Sequence, residues 1–460
     1  MIWMVRWPSP ARLLVFTFVF LVLAGTWLLL RPVCTGGQGI NLIDALFTST
    51  SAVCVTGLTV VDVGTRFTFV GQLALLLLIQ LGGLGILTLS NWMWVSLRKK
   101  ASPLDRFMVS ETIGALKAIE PQQILRRVIM FTVVCEGIGT VILTIRFLFD
   151  MGFREAVWCG LFHSVSAFCN AGFSLFPDNL VRYRGDFIVN AVIMALIIAG
   201  GIGFLVVADV WEGMSKFRLR NVWAKLSYQS RVVLLTTLIL IVGGALFFLI
   251  LEWNNVLSGL PWYQWPIVCL FQSVTARTAG YNTVDMASLT NTTLLGMIIL
   301  MYIGASPGST GGGIKTTTAA VIWASVMSRI RGRKDAELMR RRISIETMSR
   351  AAALAAVYVA IVVVAVIALQ TSEFGSTPHK DIASGLGKGQ FLDHLFEVTS
   401  AIGTVGLSTG ITAAMSDLGR LILVLVMFVG RVGPLIIAAS LVARRRPVAY
   451  SLPEEKVMIG

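Results

Sequence analysis

Long uncharged apolar runs alternate along this chain with short loops that are polar or basic. The first long run, Leu13–Leu30, is followed by a half-length run, Ile40–Val53, and then by a second long run, Phe69–Leu97. The same order of long, half-length and long runs recurs three more times. About 20 apolar residues cross a bilayer as a helix, whereas 10–14 are typical of a re-entrant helix. The pattern therefore predicts an all-α polytopic membrane protein with eight full spans and four re-entrant pore helices.

The chain divides into four units of span, pore helix and span. The predicted units are 1–97, 98–211, 212–328 and 329–460, and each of the last three opens with a basic loop. The later long runs are Val128–Phe149, Phe187–Trp211, Val232–Leu251, the run from Leu294, Ala351–Leu369 and Leu421–Val442. Glycines interrupt several of the second runs.

The half-length runs share one wording, in which Leu-Phe is followed by small and hydroxyl residues and then by a glycine and a bulky apolar residue. The four copies are Leu46–Leu58 (LFTSTSAVCVTGL), Leu161–Phe173 (LFHSVSAFCNAGF), Leu270–Tyr281 (LFQSVTARTAGY) and Leu395–Leu407 (LFEVTSAIGTVGL). The third copy is one residue shorter than the others. Matching glycines in four matching units predict a pseudo-fourfold arrangement of these loops around one axis.

Such loops are suited to a cation. A pore helix points its C-terminal end, with about half a negative charge, at the membrane centre. The residues after it can turn their carbonyls inward to replace a hydration shell, and glycine permits the backbone conformation that this requires. The fourth copy reads Thr-Val-Gly-Leu, close to the Thr-Val-Gly-Tyr of potassium channel filters. The alternative is that these glycines only pack re-entrant loops and bind no ion.

We therefore predict an ion filter whose carbonyls hold K⁺. Its candidate residues are Cys54, Val55, Thr56, Gly57, Cys169, Asn170, Ala171, Gly172, Arg277, Thr278, Ala279, Gly280, Gly403, Thr404, Val405 and Gly406. Arg277 would repel K⁺ at the ion site, so we expect its side chain to point behind the filter, with Glu397 as its partner.

The second long run of the third unit is broken over residues 304–318 by glycines and a proline, which cannot hold a helix through the membrane. Non-helical backbone at this depth is tolerated only inside protein or a water-filled cavity. This segment is therefore a candidate gate below the filter, and an ordinary kink is the alternative. A phosphate loop is excluded because Ile314 separates Gly313 from Lys315. The candidate gate residues are Gly304, Ser306, Pro307, Gly308, Ser309, Thr310, Gly311, Gly312, Gly313, Lys315 and Arg431.

Arg431 lies within the last span, where a charge is costly unless it faces a cavity or a partner. The alignment of glycines puts it at the level of the broken segment. We expect it to contact carbonyls of that segment and to add a positive barrier to cation flow. An ion pair with Glu136 is the alternative.

Composition narrows the class of protein further. Hydrophobic residues make up 56% of the chain and charged residues 13%, and the net charge is +14. Most Lys and Arg fall in loops on one side, which indicates cytoplasmic loops and termini and possible contact with anionic lipid rather than nucleic-acid binding. The six cysteines and three histidines show no metal-ligand spacing, and no catalytic constellation at helical spacing suggests an enzyme. We expect no cofactor in this chain.

Three stretches carry a family resemblance: SVSAFCNAGFSLFPDNL (Ser164–Leu180), ARTAGYNT (Ala276–Thr283) and GGGIKTTT (Gly311–Thr318). With the fourfold plan, they make the chain similar to the Ktr/Trk/HKT superfamily of potassium transporters, and most of all to the membrane subunits of bacterial Ktr systems. The resemblance covers essentially the whole chain. It implies passive K⁺ uptake across the bacterial plasma membrane, driven by membrane potential and gated by the intramembrane loop.

The resemblance also implies a homodimer and a cytosolic ring that binds nucleotide. No dinucleotide fingerprint follows the glycine pairs of this chain, so we expect the nucleotide sites to lie in a separate chain. Glycine at all four filter positions, Gly57 included, implies K⁺ selectivity. A serine in the first loop goes with Na⁺ permeation in some plant relatives. A sodium-permeable or sodium-coupled transporter therefore stays open as an alternative, as does a role for Na⁺ as an activator.

Overall fold

The structure is a computed structural model that describes residues 10–97, 121–216, 222–333, 335–375 and 391–433. Helices dominate these ranges. The longer helices are α1 Pro10–Leu29, α2 Leu42–Val53, α3 Phe69–Leu97, α4 Pro121–Phe147, α5 Phe153–Phe168, α6 Phe187–Gly201, α7 Phe204–Lys216, α8 Tyr228–Glu252, α9 Trp265–Thr275, α10 Asn291–Tyr302, α11 Thr316–Ile330, α12 Ile345–Phe374, α13 Phe391–Gly403 and α14 Asp417–Val432. Short helical turns lie at Pro32–Thr35, Val63–Arg66, Val181–Tyr183, Val222–Lys225, Trp262–Gln264, Met286–Ser288 and Thr412–Ala414.

Among the described residues, four helices are long and apolar enough to cross a membrane, namely α1, α4, α8 and α12, and the bent pair α6–α7 would make a fifth. Each of the four opens one of the predicted units. Only 22% of the apolar window in α8 is buried inside the protein, so most of its apolar surface faces outward. That arrangement suits lipid rather than water, and the chain is a membrane protein. The full count of eight spans stays a prediction.

Three pore helices pack on the preceding long helix through an equivalent pair of small residues, a serine of the pore helix and a glycine of the long helix. In the first unit, the Ser49 hydroxyl donates to the Val22 carbonyl at 2.8 Å, and a Cβ on Gly25 would lie 2.3 Å from the same hydroxyl oxygen. Equivalent pairs join Ser164 with Gly139 and Ser273 with Gly244. Small residues let helix backbones approach closely in lipid, where packing and hydrogen bonds drive association. These contacts set the depth of the pore helices.

Two of the second long runs contain glycines but follow different courses. The run Phe187–Trp211 was expected to be one span, but it is bent by 96° between α6 and α7. The bend lies at Gly203, whose φ is +91°, and a Cβ there would lie 2.4 Å from the Pro307 carbonyl oxygen. The run therefore forms two helices rather than one, because the loop after α10 occupies that space. Conversely, α3 runs unbroken through its glycines.

The basic loop after α11 forms a two-stranded antiparallel hairpin, β1 Glu337–Leu338 and β2 Arg341–Arg342. The Tyr228 hydroxyl at the start of α8 donates to the Leu338 carbonyl at 2.8 Å. This bond ties the hairpin to the helix that opens the third unit.

Candidate ion filter and gate

The four segments that follow the pore helices share one unusual backbone conformation. In each, the residue two before the glycine and the glycine itself both have positive φ. The angles are 56° and 96° at Val55 and Gly57, 60° and 69° at Asn170 and Gly172, 71° and 76° at Thr278 and Gly280, and 49° and 95° at Thr404 and Gly406. Positive φ is a genuine outlier for β-branched residues such as Val and Thr. Strain of this kind, of order 1–3 kcal/mol per residue, collects at functional sites.

The four segments form a closed ring, which we define as residues 55–58, 170–173, 278–281 and 404–407. A Cβ on each glycine would collide with a carbonyl oxygen of the next segment. From such a Cβ to the carbonyl oxygen, the distance is 2.5 Å for Gly57 and Ala171, 2.7 Å for Gly172 and Ala279, 2.5 Å for Gly280 and Val405, and 2.1 Å for Gly406 and Thr56. The last contact returns to the first segment, so the units follow one another around the ring in chain order. Every side chain in the ring is fully buried.

Hydroxyl groups of the pore helices hold the ring to the helices behind it. In the first and fourth units, serine oxygens accept from the glycine N–H groups, and in the second and third, hydroxyls donate to the carbonyl that follows the glycine. The bonds are Gly57 N to Ser51 Oγ at 3.1 Å, Gly406 N to Ser400 Oγ at 3.0 Å, Ser166 Oγ to Phe173 O at 2.9 Å and Thr275 Oγ1 to Tyr281 O at 2.5 Å. The hydroxyl residues of the repeated wording therefore position the ring.

A second set of polar side chains holds the chain just beyond the ring. His163 Nε2 lies 3.0 Å from Ser174 Oγ, and Gln272 donates to Thr283 Oγ1 at 3.0 Å. The Glu397 carboxylate accepts from the hydroxyls and N–H of the equivalent segment, namely Ser408 at 2.6 Å, Thr412 at 2.8 Å and the N–H of Thr409 at 3.0 Å. Sequence analysis did not assign His163 and Gln272 a role. The sequence does carry a signal for these positions, because the residue after each of the four Leu-Phe pairs is polar.

The prediction of an ion pair between Arg277 and Glu397 was wrong. Glu397 is satisfied by the segment beyond the fourth ring segment. The Arg277 Nε has no hydrogen-bond partner among the described residues, although the side chain is only 7% exposed.

The predicted gate segment lies directly below the ring. The helix ends at Tyr302 and resumes at Thr316, and Gly304 N donates to Ile314 O at 2.9 Å, which closes the loop between them. A Cβ on Gly311 would lie 2.2 Å from Thr278 Oγ1, and one on Gly312 would lie 2.3 Å from Thr404 Oγ1. We call residues 303–315 the intramembrane loop. Its candidate gate residues are buried, except for half-buried Lys315.

The intramembrane loop packs against the bend between α6 and α7. Ser306 N and Thr310 N donate to the Gly201 and Gly200 carbonyls at 3.0 and 3.2 Å. Phe204 N, at the start of α7, donates to Gly308 O at 3.1 Å. The backbone N–H and C=O groups at the break in the second unit thus form hydrogen bonds with those at the break in the third. Buried peptide groups need such partners.

Arg431 makes the expected contact with the loop. It is 5% exposed and donates to the Thr310 carbonyl and, at 2.7 Å, to the Gly82 carbonyl in α3. Lys315 Nζ donates to Gly311 O at 2.8 Å. The alternative pairing with Glu136 is not seen, and the Glu136 carboxylate accepts from Gln80 at 3.2 Å.

Comparison with known proteins shows the family. Residues 15–447 match the TrkH family, whose description is cation transport protein. The chain belongs to the TrkH family. Among its relatives, Ktr system potassium uptake protein B of Vibrio alginolyticus is 37% identical over 98% of this chain and 94% of the relative. Potassium/sodium uptake protein NtpJ of Enterococcus hirae is 35% identical over 98% of this chain and 97% of the relative.

The fold agrees with the same family. The crystal structure of the potassium transporter TrkH from Vibrio parahaemolyticus superposes with a TM-score of 0.73, at 18% identity, over 96% of this chain and 86% of that one. Within the described ranges of this TrkH-family chain, no group of three or more His, Cys, Asp or Glu is placed to hold a metal ion. The strained, closed ring of backbone carbonyls is the feature that suits a transported cation.

Proposed function

We propose that this protein carries K⁺ passively across the bacterial plasma membrane, through the ring and past the intramembrane loop. The observation that supports this most strongly is the closed ring, with four glycines at positive φ that each face a neighbouring carbonyl oxygen. Carbonyls held in this way can replace the hydration shell of a K⁺ ion. The driving force is the membrane potential, about 2.3 kcal/mol per charge for each 100 mV.

The proposed architecture has four units, 1–97, 98–211, 212–328 and 329–460, arranged pseudo-fourfold around the ring. Each unit has two spans and one re-entrant pore helix, and both termini lie in the cytoplasm. The passage of the ring from one unit to the next in chain order supports this arrangement. The polar positions behind the ring, which recur from unit to unit, support it as well.

The proposed gate is the intramembrane loop in a closed position. Gly311 and Gly312 lie against the lowest side chains of the third and fourth ring segments. The guanidinium of Arg431 and the ammonium of Lys315 add positive charge beside the path. Opening therefore requires the loop to move away from α6 and α7, which breaks its hydrogen bonds to the Gly200 and Gly201 carbonyls.

The proposed partners are a second copy of this chain and a cytosolic ring that binds nucleotide. Two relatives, from Vibrio alginolyticus and Bacillus subtilis, are each named protein B of a Ktr system, which supports a membrane component that works with another chain. Nucleotide control would then reach the loop from the cytoplasmic face.

A second candidate function is combined K⁺ and Na⁺ uptake, because the relative from Enterococcus hirae is named a potassium/sodium uptake protein. This candidate shares the fold and the gate, and it differs only in the selectivity of the ring.

Uptake by the Gly57→Ser variant tests the filter. A serine here meets both the positive φ and the Ala171 carbonyl at 2.5 Å, so the ring must distort. We expect K⁺ uptake in potassium-uptake-deficient cells to lose its preference over Na⁺. Gly37→Ser is the matched control, because Gly37 also has positive φ, of 83°, but nothing lies within 4 Å of a Cβ there.

Unchanged uptake and selectivity in Gly57→Ser would remove the ring from the proposed function. Equal uptake of Na⁺ and K⁺ by the unaltered chain would favour the second candidate. A loss of selectivity in Gly37→Ser as well would show that backbone strain alone accounts for the effect.

A further inference from the structure

One boundary of the ring carries a side-chain bond between neighbouring segments. The hydroxyl of Tyr281 donates to the Phe173 carbonyl at 2.9 Å and lies 3.5 Å from the His163 carbonyl. Tyr281 directly follows Gly280, and Phe173 directly follows Gly172. The bond therefore joins the outer ends of the second and third ring segments.

Among the described residues, no such bond is present at the other three boundaries. The residues that occupy the position of Tyr281 in the other segments are Leu58, Phe173 and Leu407, none of which has a polar side chain. A backbone bond from Leu180 N to Asn282 O, of 3.1 Å, reinforces the same boundary further out. Within the described ranges, the second and third ring segments are thus the neighbours that a side-chain bond joins directly.

The hydroxyl of Tyr281 is not needed to satisfy the carbonyl that it contacts. The Phe173 oxygen already accepts from Ser166 Oγ at 2.9 Å, and a phenylalanine fills the equivalent position in the second segment. A phenylalanine at position 281 would fill the same space, whereas the buried hydroxyl of tyrosine depends on its bond to Phe173 to offset the cost of desolvation. The backbone of Tyr281 is itself held by Thr275, so both ends of the side chain are anchored.

We propose that Tyr281 is a positioning residue that sets the width of the ring between Gly172 and Gly280 and thereby its discrimination between K⁺ and Na⁺. At this boundary, a Cβ on Gly280 would lie only 3.2 Å from the Gly172 Cα, so a small separation of the segments alters where their carbonyls meet an ion. Whether filters discriminate by cavity size or by carbonyl field, both depend on this spacing. The inference rests on the proposed function of the ring.

The test is uptake of K⁺ and Na⁺ by Tyr281→Phe, normalised to the amount of protein in the membrane. We expect the Na⁺/K⁺ uptake ratio to rise about fivefold, the order that one hydrogen bond can supply. Tyr302→Phe is the matched control, since the Tyr302 hydroxyl also donates to a backbone carbonyl, of Ala355 at 2.8 Å, but between α10 and α12. A merely structural role would lower the amount of protein or both rates together and leave the ratio unchanged.

Gly57→Ser is measured in parallel so that the two failures are distinguishable. If Gly57→Ser shifts the ratio and Tyr281→Phe does not, the role of Tyr281 is wrong and the ring retains its function. If neither variant shifts the ratio, both proposals are wrong. Tyr281→Leu, which matches the first and fourth segments, serves as a second variant if Tyr281→Phe does not accumulate, and an unshifted ratio there overturns the inference equally.

Discussion

At the scale of single residues, the most informative side chain is Arg431. A charge within a membrane span costs about 2.5–3.5 kcal/mol on insertion scales. Here two backbone carbonyls from different units, those of Thr310 and Gly82, accept from its guanidinium. Because the donors of arginine form a planar fork, one side chain can join the intramembrane loop to α3. In the proposed gate, it would therefore both stabilise the closed loop and oppose a cation.

We expect Arg431→Ala to raise K⁺ flux, because the substitution removes both the bond to the loop and the positive charge. The measurement is uptake rate or, in reconstituted vesicles, leak without any partner. Arg431→Lys is the control, since it keeps the charge but loses the fork, and we expect an intermediate rate. Flux that falls or stays the same in Arg431→Ala would contradict the barrier.

At the scale of elements, the depth of three of the pore helices depends on close packing against the preceding long helix. In the second unit, a Cβ on Gly139 would lie 2.4 Å from Ser164 Oγ and 2.8 Å from a methyl carbon of Leu196. The Ser164 hydroxyl is bonded to the Glu136 carbonyl at 2.7 Å and is not free to turn away without loss. The helix pair therefore has no room for a methyl group at this point.

We expect Gly139→Ala to destabilise the protein by about 1–3 kcal/mol, the usual cost of overpacking. Gly137→Ala, two residues earlier in α4, is the matched control, because nothing lies within 4 Å of a Cβ there. Alanine favours helix over glycine by about 1 kcal/mol, so this control should be neutral or stabilising. The melting temperatures of both variants in detergent decide the matter, and equal values would exclude the packing argument.

At the scale of the whole molecule, one pair of exposed tryptophans and one cluster of arginines lie at opposite ends of the long helices. Exposed Trp253 and Trp262 lie in the segment after α8, whereas the arginine-rich hairpin and the start of α12 lie at the other end of the long helices. Tryptophan at an interface and arginine on the cytoplasmic side are the usual arrangement in membranes. The proposed orientation therefore puts the hairpin in the cytoplasm.

Cysteine labelling tests this orientation. We expect a membrane-impermeant maleimide to label Ser258→Cys in intact cells and Ser349→Cys only after permeabilisation, since both positions are exposed. The unaltered chain is the control, because its cysteines are buried or half-buried. Labelling of Ser349→Cys in intact cells would reverse the proposed topology.

The sequence by itself determined most of the helices, their order and the break within the third unit. Apolar length, the recurring glycines and the Gly- and Pro-rich stretch from Gly304 are properties of contiguous residues, so they can be read locally. The long helices α1, α4, α8 and α12 and the break between α10 and α11 were predictable for this reason. The contact of Arg431 with the loop followed from aligning repeats.

Only the tertiary structure decided which groups meet. The bend at Gly203, the bonds of Glu397 within its own unit and the bond from Tyr281 to Phe173 either differ from expectation or were not anticipated. Each depends on which surface packs against a segment, and for Gly203 and Tyr281 that surface belongs to residues about a hundred positions away in the chain. A glycine permits a bend or a helix equally, and the neighbouring loop selects between them. Local propensity therefore predicts the elements, whereas long-range packing determines the geometry of the ring and of the loop below it.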